Sequence, residues 1–247
     1  MISNKITQLV AIVALIAFAS SANALLLLSG DGNITSTIGG SNDNDVFFSN
    51  VLQGGSTVTI HQTDLGLNFA GNLNNFYNGL SGVSSSIIAS GNTITSGQLS
   101  GSDLFVSILP EDNYTTSEIG AMSSFLSGGG SIFFMGENGG FDPYNSRIND
   151  ALLGLGSSMS ITLNSTFDGG FHLATGSQIA TDALTAGVNS FSYAAPNEVM
   201  VDGGTALLFG TQNQPFISYE STTVPEPSIL ALLSIGLFGF GFIRRKI

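Results

Sequence analysis

The chain has 247 residues, 17 of them acidic against five Lys or Arg, for a formal net charge of −12, and it contains no cysteine. The missing thiol excludes disulfide staples, thiolate metal sites and a cysteine nucleophile. The anionic balance excludes nucleic-acid binding, which needs cations to replace the counterions around phosphate. At the start of the chain Lys5 precedes an apolar run at 9–19, and Ser20, Ser21, Ala22, Asn23 and Ala24 follow. A basic start, a short apolar region and small residues at Ala22 and Ala24 mark a secretory signal peptide over 1–24. Its helix would be removed by signal peptidase before Leu25.

Residues 25–223 have the length of a single domain with a substantial core. Within them Arg147 is the only basic side chain, so the mature surface is strongly acidic. The stretch "LLLLSGDGNITSTIGGSNDNDVFFSNVL" opens with an edge strand and continues as a turn-rich segment. That segment gathers Asp31, Asp43 and Asp45 with Asn33, Asn42 and Asn44. These are oxygen donors of the kind calcium takes, and equally the residues of a solvated turn. "STVTIHQ" alternates as a strand should and carries His61 near its end. Asn72 can cap a helix whose Leu73, Phe76, Tyr77 and Leu80 share one stripe. "VSSSIIAS" and the nearly all-apolar "DLFVSILP" read as further strands, the second as a central parallel one.

The clearest local grammar lies over 103–156. "DLFVSILP" leads into a helix with the capping box Thr115 and Glu118 and the stripe Ile119, Met122, Phe125 and Leu126. Glycines at 128–130 stop that helix before the strand "SIFFMGE". Asp142 then caps a second helix with Pro143 in its first turn, and Ile148, Leu152 and Leu155 face inward. Strand and helix alternate, so the class is α/β with a mostly parallel sheet and right-handed crossovers, and a β-rich portion follows at the C-terminal end.

The stretch "SDLFVSILPEDNYTTSEIGAMSSFLSGGGSIFFMGENGG", together with "DALTAGVNSFSY", "ALLFG" and "PFISYE", resembles the class I glutamine amidotransferase-like superfamily, its trehalose-utilisation-type members above all. The resemblance spans about residues 45–220. It implies a flavodoxin-like three-layer sheet. Catalytic members of that superfamily place a cysteine at the sharp turn after the strand that corresponds here to 131–135. This chain has Gly136-Glu137-Asn138-Gly139 there, which excludes the amidotransferase reaction as the superfamily performs it.

Three side chains are the catalytic candidates that remain: Glu137 at the elbow, Glu111 at the end of the neighbouring strand, and His172 in "FDGGFHLATG". Glu111, Asp112, Glu137 and Asp142 are the candidate metal ligands. They end adjacent elements, and open α/β sheets bind ligands at their carboxyl edge. The same residue types also favour turns and helix starts whatever the function, and His61 and His172 are equally suited to hydrogen bonding in loops. No cofactor is implied beyond calcium, the ion these oxygens would suit.

The chain ends "VPEPSILALLSIGLFGFGFIRRKI". An apolar segment over 228–243 is just long enough for a transmembrane helix, and Arg244, Arg245 and Lys246 would hold its end in the cytoplasm. Pro225-Glu226-Pro227, a short Gly-rich span and a terminal basic cluster, in that order, resemble the PEP-CTERM sorting signal, which sets 224–247 apart as a sorting tail. The resemblance implies processing by exosortase in a Gram-negative bacterium that makes extracellular polysaccharide. The chain would pass transiently through the inner membrane to the cell surface or extracellular matrix. Three functional classes stay open: a non-catalytic exported surface or matrix protein associated with exopolysaccharide, a carboxylate-based hydrolase of polysaccharide, and a calcium-dependent adhesion module.

Overall fold

The structure, a computed structural model, describes residues 24–222 with the exception of 64. Ala22, the Pro225-Glu226-Pro227 motif, the span 228–243 and Arg244, Arg245 and Lys246 lie outside the described residues. Among the described residues no helix is long and apolar enough to cross a membrane. Ala24–Thr222 forms one compact unit.

In chain order the strands are β1 (Ala24–Ser29), β2 (Thr57–Gln62), β3 (Ser84–Ile88), β4 (Leu104–Ile108), β5 (Ser131–Met135), β6 (Ser160–Ile161), β7 (Phe171–Thr175), β8 (Ser190–Ala194), β9 (Val199–Met200), β10 (Thr205–Phe209) and β11 (Pro215–Thr222). The α-helices are α1 (Asn44–Val51), α2 (Phe69–Gly79), α3 (Ser96–Leu99), α4 (Thr116–Ser127) and α5 (Asp142–Gly154). Seven strands form the main sheet in the order β10-β11-β1-β5-β4-β2-β3. β1 to β5 run parallel, while β10 and β11 extend the β1 side antiparallel. The fold is therefore mixed α/β around a mostly parallel sheet, with the β-rich C-terminal part anticipated from the sequence.

Two features depart from expectation. In the flavodoxin-like order 2-1-3-4-5 the first strand is internal to the parallel set. Here β1 lies beyond β5, at the end of the parallel set, and the antiparallel pair continues the sheet past it. β1 is also not an edge strand, because its register runs against β5 on one side and against β11 on the other. That second partner comes from the far end of the domain, where local pattern gives no sign of it. The two edges are β10 and β3, and the serines of β3, "SSSII", are mostly exposed and suit a strand with one free side.

Side chains alternate across the pleat and so define two faces. Leu25, Leu27, Val58, Ile60, Phe133 and Met135 belong to one cluster with Phe47, Phe48 and Val51 of α1 and Phe69, Leu73 and Tyr77 of α2. Phe191, Tyr193 and Phe216 close over that cluster from β8 and β11, with Phe191 edge-on to Phe47 at 5.3 Å. On the opposite face, α4 contacts β1 and β5. Met122, Leu126, Ile148 and Leu152 are buried with the alternate strand residues Leu26, Leu28, Phe105, Ile132 and Phe134. The central strands are thus covered on both sides, which is why they read as unbroken apolar runs.

The helix stripes stand as anticipated, but some caps are tertiary. α2 begins three residues before Asn72, and the side chain of Gln62 in β2 accepts the N–H of Ala70 in its first turn. α5 starts at Asp142 itself, with Phe141 at the cap position and Pro143 in the first turn. α1 lies within the segment read as turns.

The capping box of α4 is present. Thr115 Oγ1 accepts from Glu118 N at 3.3 Å, and Glu118 Oε2 accepts from Thr115 N at 2.8 Å. Thr115→Ala removes half of this reciprocal pair, and a loss of about 1 kcal/mol is expected in chemical denaturation. A change below a few tenths would show that the box adds nothing to α4.

Candidate functional site: the carboxyl edge of the sheet

All five parallel strands end at one edge, and the turns after β1 and β5 meet there. The turn after β1 is Gly30-Asp31-Gly32-Asn33; the turn after β5 is Gly136-Glu137-Asn138-Gly139. Asp31 is fully buried and Glu137 is 1 % exposed. The Asp31 Oδ1 accepts from Asn33 N and its Oδ2 from Ala194 N, each at 2.7 Å. Glu137 Oε2 accepts from Gly32 N at 3.1 Å, while Oε1 accepts from Asn138 N at 3.1 Å and from Asn138 Nδ2 at 2.9 Å. Asn33 Nδ2 reaches both Glu137 oxygens at 2.9 Å.

Asn145 of α5 binds the Glu137 backbone in both directions and also reaches Asp142. Asp142 in turn accepts from Asn197 Nδ2 and Asn164 N. The network ties β1, β5, β8 and α5 together at one point.

Glycine makes these turns fit. A Cβ on Gly136 would stand 2.4 Å from both Asn145 Oδ1 and Ile161 Cδ1. One on Gly32 would stand 2.7 Å from the Phe69 ring.

The electrostatics follow from burial. Loss of water pushes the Asp31 carboxyl well above the usual range, and the Glu137 charge pushes it further, against the pull of the Ala194 and Asn33 N–H groups. Burial pushes Glu137 up to about 7 despite the N–H groups of Asn138, Gly32 and Asn33 that favour its charged form. Two carboxyl groups in one dry site retain a proton between them near neutral pH.

The candidates read from the sequence separate into three places. Glu137 and Asp142 share the network just described. Glu111 and Asp112 are exposed after β4 and line a different cleft, beside His61; Glu111 accepts from Ser90 Oγ at 3.0 Å. His172 sits on the β7–β8 hairpin, opposite Tyr193, with the two rings stacked at 5.7 Å and its Nε2 3.3 Å from Gly169 O. Glu111, Glu137 and His172 therefore have separate surroundings.

Among the described residues no group of three or more His, Asp or Glu is arranged to hold a metal ion. The segment of mixed Asp and Asn is divided as well. Asp31 is in the buried pair, and Asp43 accepts from Asn189 N and Ser190 N. The buried Asn44 ties α1 to Ile34 and to both backbone groups of Ser192. Asp31 is the site residue that sequence reasoning placed among turn acids. Its one local signal is the pattern Ser-Gly-Asp-Gly-Asn directly after a wholly apolar strand.

Comparison with curated protein sequences gives no match. Among solved structures the chain is similar to one titled "mmIFT52 N-terminal domain", at 19% identity and a TM-score of 0.46, over 56% of this chain and 71% of that one. Residues 223–246 match the PEP-CTERM protein-sorting motif, so the resemblance read from the tail holds and the protein is an exported exosortase substrate. The resemblance of the middle region to the glutamine amidotransferase-like superfamily does not hold. It rested on strand and helix order, which many α/β domains share, and on no signature residue. Residues 69–206 match the IFT52 GIFT domain model, and the chain belongs to that family.

Proposed function

We propose that the protein is a non-catalytic component of the cell surface or extracellular matrix of a Gram-negative bacterium. In this reading the GIFT domain acts as a binding module associated with exopolysaccharide. Signal peptidase removes 1–24, the 228–243 segment holds the chain briefly in the inner membrane, and exosortase removes the tail.

The observation that carries the non-catalytic reading is the state of Glu137. It occupies the elbow after β5, is almost wholly buried, and accepts hydrogen bonds from four N–H-bearing groups of its own chain. A carboxylate so enclosed has no open oxygen to offer a substrate. A polysaccharide hydrolase would need Glu137 to work with Glu111 or His172, and their surroundings differ. A calcium-dependent adhesion module would need acidic side chains to converge, and Asp31, Asp43 and Glu111 are each held elsewhere.

The test uses mature protein recovered from the cell surface of a host with working exosortase. Its intact mass is expected to begin near Leu25 and end close to Pro225. Incubated with the host's exopolysaccharide, it is expected to co-sediment without releasing reducing ends. Release of reducing ends would overturn the non-catalytic reading, and failure to co-sediment would overturn the association with polysaccharide.

A further inference from the structure

The β7–β8 hairpin pairs Phe171 with Ala194, His172 with Tyr193, Leu173 with Ser192, Ala174 with Phe191 and Thr175 with Ser190. Along an antiparallel ladder, successive residues turn their N–H and C=O groups alternately toward the partner strand and away from it. On β8 the residues turned away from β7 are known by what they bind. Ala194 donates to Asp31 and accepts from Asn33 Nδ2, Ser192 donates to and accepts from the Asn44 side chain, and Ser190 donates to the Asp43 carboxylate and accepts from Asp43 N. Phe171, Leu173 and Thr175, which stand opposite them, therefore turn their own backbone groups to the free side of β7. Thr175 N donates to Gln178 Oε1. The outward N–H and C=O groups of Phe171 and Leu173 have no partner among the described residues.

The side chains of the same two residues are open as well. Phe171 is 65 % exposed and Leu173 51 %, whereas Ala174 is buried and His172 stacks on Tyr193. An open edge strand is a template for another strand, and proteins ordinarily blunt one with Lys, Pro or a bulge. β7, "FHLAT", carries neither Lys nor Pro, and its register with β8 is unbroken. No Asp, Glu, Lys or Arg occurs over 169–181, in a domain whose one basic side chain is Arg147. The nearest acid, Asp168, is held by the Tyr193 hydroxyl and Thr211 N.

This edge suits a strand of a second copy. A basic partner finds no carboxylate along β7, while another acidic copy, repelled by the rest of the surface, meets no charge here. The pattern is also self-complementary. Phe171 and Leu173 lie symmetrically about His172, so a two-fold axis at His172 sets Phe171 of each copy against Leu173 of the other. Both apolar cross-strand pairs then form, and the unpartnered N–H and C=O groups of the two copies satisfy one another.

We propose that the protein associates with a second copy of itself through antiparallel pairing of β7, giving a four-stranded sheet in the order β8-β7-β7-β8 across a two-fold axis. The far side of β8 is occupied by Asp31, Asp43 and Asn44, so the pairing closes as a dimer and does not propagate. The contact is smaller than the ~1,200 Å² of a stable interface, which sets a Kd on the order of 100 µM. The inference is independent of polysaccharide binding.

Sedimentation equilibrium of the mature protein between about 10 µM and about 1 mM tests it, with a reversible monomer–dimer transition expected. Phe171→Glu and Leu173→Lys each set a charge against an apolar side chain and are expected to weaken association roughly tenfold or more. Both positions are exposed, so the fold is retained. Mixed in equal amounts, the two variants are expected to regain dimer, because the register sets the introduced carboxylate against the introduced ammonium. Leu153, 75 % exposed on α5, supplies the control, and Leu153→Glu is expected to leave association unchanged. A monomer at every concentration would overturn the proposal and leave the edge to a strand of another polypeptide. An equal loss in Leu153→Glu would overturn it by making the association nonspecific, and no recovery in the mixture would overturn it by removing the two-fold register.

Discussion

Raising the pH from about 5 to about 8.5 is expected to lower the unfolding free energy of the domain by on the order of 3 kcal/mol through Glu137 alone. The sign follows from the direction of the shift. The folded-state carboxyls of Asp31 and Glu137 hold their protons more tightly than in the unfolded chain, Glu137 up to about 7 and Asp31 well above the usual range. Their contribution is therefore complete below the unfolded values near 4 and is lost as pH rises through the folded ones.

Asp43, Glu118 and Asp168 act in the opposite sense. Asp43 is lowered by the Asn189 and Ser190 N–H groups. In Glu118 and Asp168 hydrogen bonds outweigh the effect of burial, from Ile94 and Thr115 in the first and from Thr211 in the second. What these three contribute is lost only as pH falls below the ordinary carboxylate range. The domain is expected to be most stable in mildly acidic solution, and denaturant midpoints measured across the pH range check this. Glu137→Gln removes one titrating group and should flatten the alkaline limb. Asp31→Asn leaves Glu137 as the one titrating carboxyl of the pair, and the loss should then follow a single step near pH 7, set by the burial of Glu137. A wild-type profile that is flat between about pH 5 and 8.5 would show that the pair holds no extra proton in the folded state.

How far the sequence discloses this site depends on the range of each interaction. β4, α4, β5 and α5 are legible because their signals are local: apolar runs, a capping box at Thr115 and Glu118, glycines after Ser127, and Pro143 in a first turn. Glu137 stands out for a related reason, as a carboxylate in a glycine-flanked turn after a buried strand. Its partner Asp31 lies more than a hundred residues earlier, and the groups that enclose the pair come from β8 and from loops near 33 and 138. No periodicity encodes that meeting. The interior position of β1 is hidden in the same way, since β11 must return from the C-terminal end to cover it. α1 is hidden for another reason: Asn44, a turn former by composition, is buried inside the helix, where its side chain satisfies the backbone of Ser192. Polar residues that serve distant backbone groups read locally as loop.

Gly30→Ala gives the most direct test of that long-range closure, and a loss of about 3 kcal/mol or more is expected from it. Gly30 is fixed from two sides: its N–H donates to Phe216 O at 2.9 Å, and its carbonyl accepts from Asn197 N at 3.0 Å. A Cβ at this position would stand 2.0 Å from Asn197 O and 2.9 Å from the carbonyl carbon, both backbone atoms. Rotating a side chain cannot relieve such a contact, so the 197 loop must move, and Asn197 carries the link to Asp142 and Thr166 with it. Gly39→Ala is the control, because that glycine has φ +77 with nothing near its absent Cβ. There only backbone strain is added, about 1 kcal/mol. If the two substitutions cost the same in urea denaturation, the close approach at Gly30 is not what closes the edge. If Gly30→Ala alone is severe and also weakens the alkaline loss of stability, then the contact between the β1 turn and the 197 loop is what keeps Asp31 and Glu137 dry.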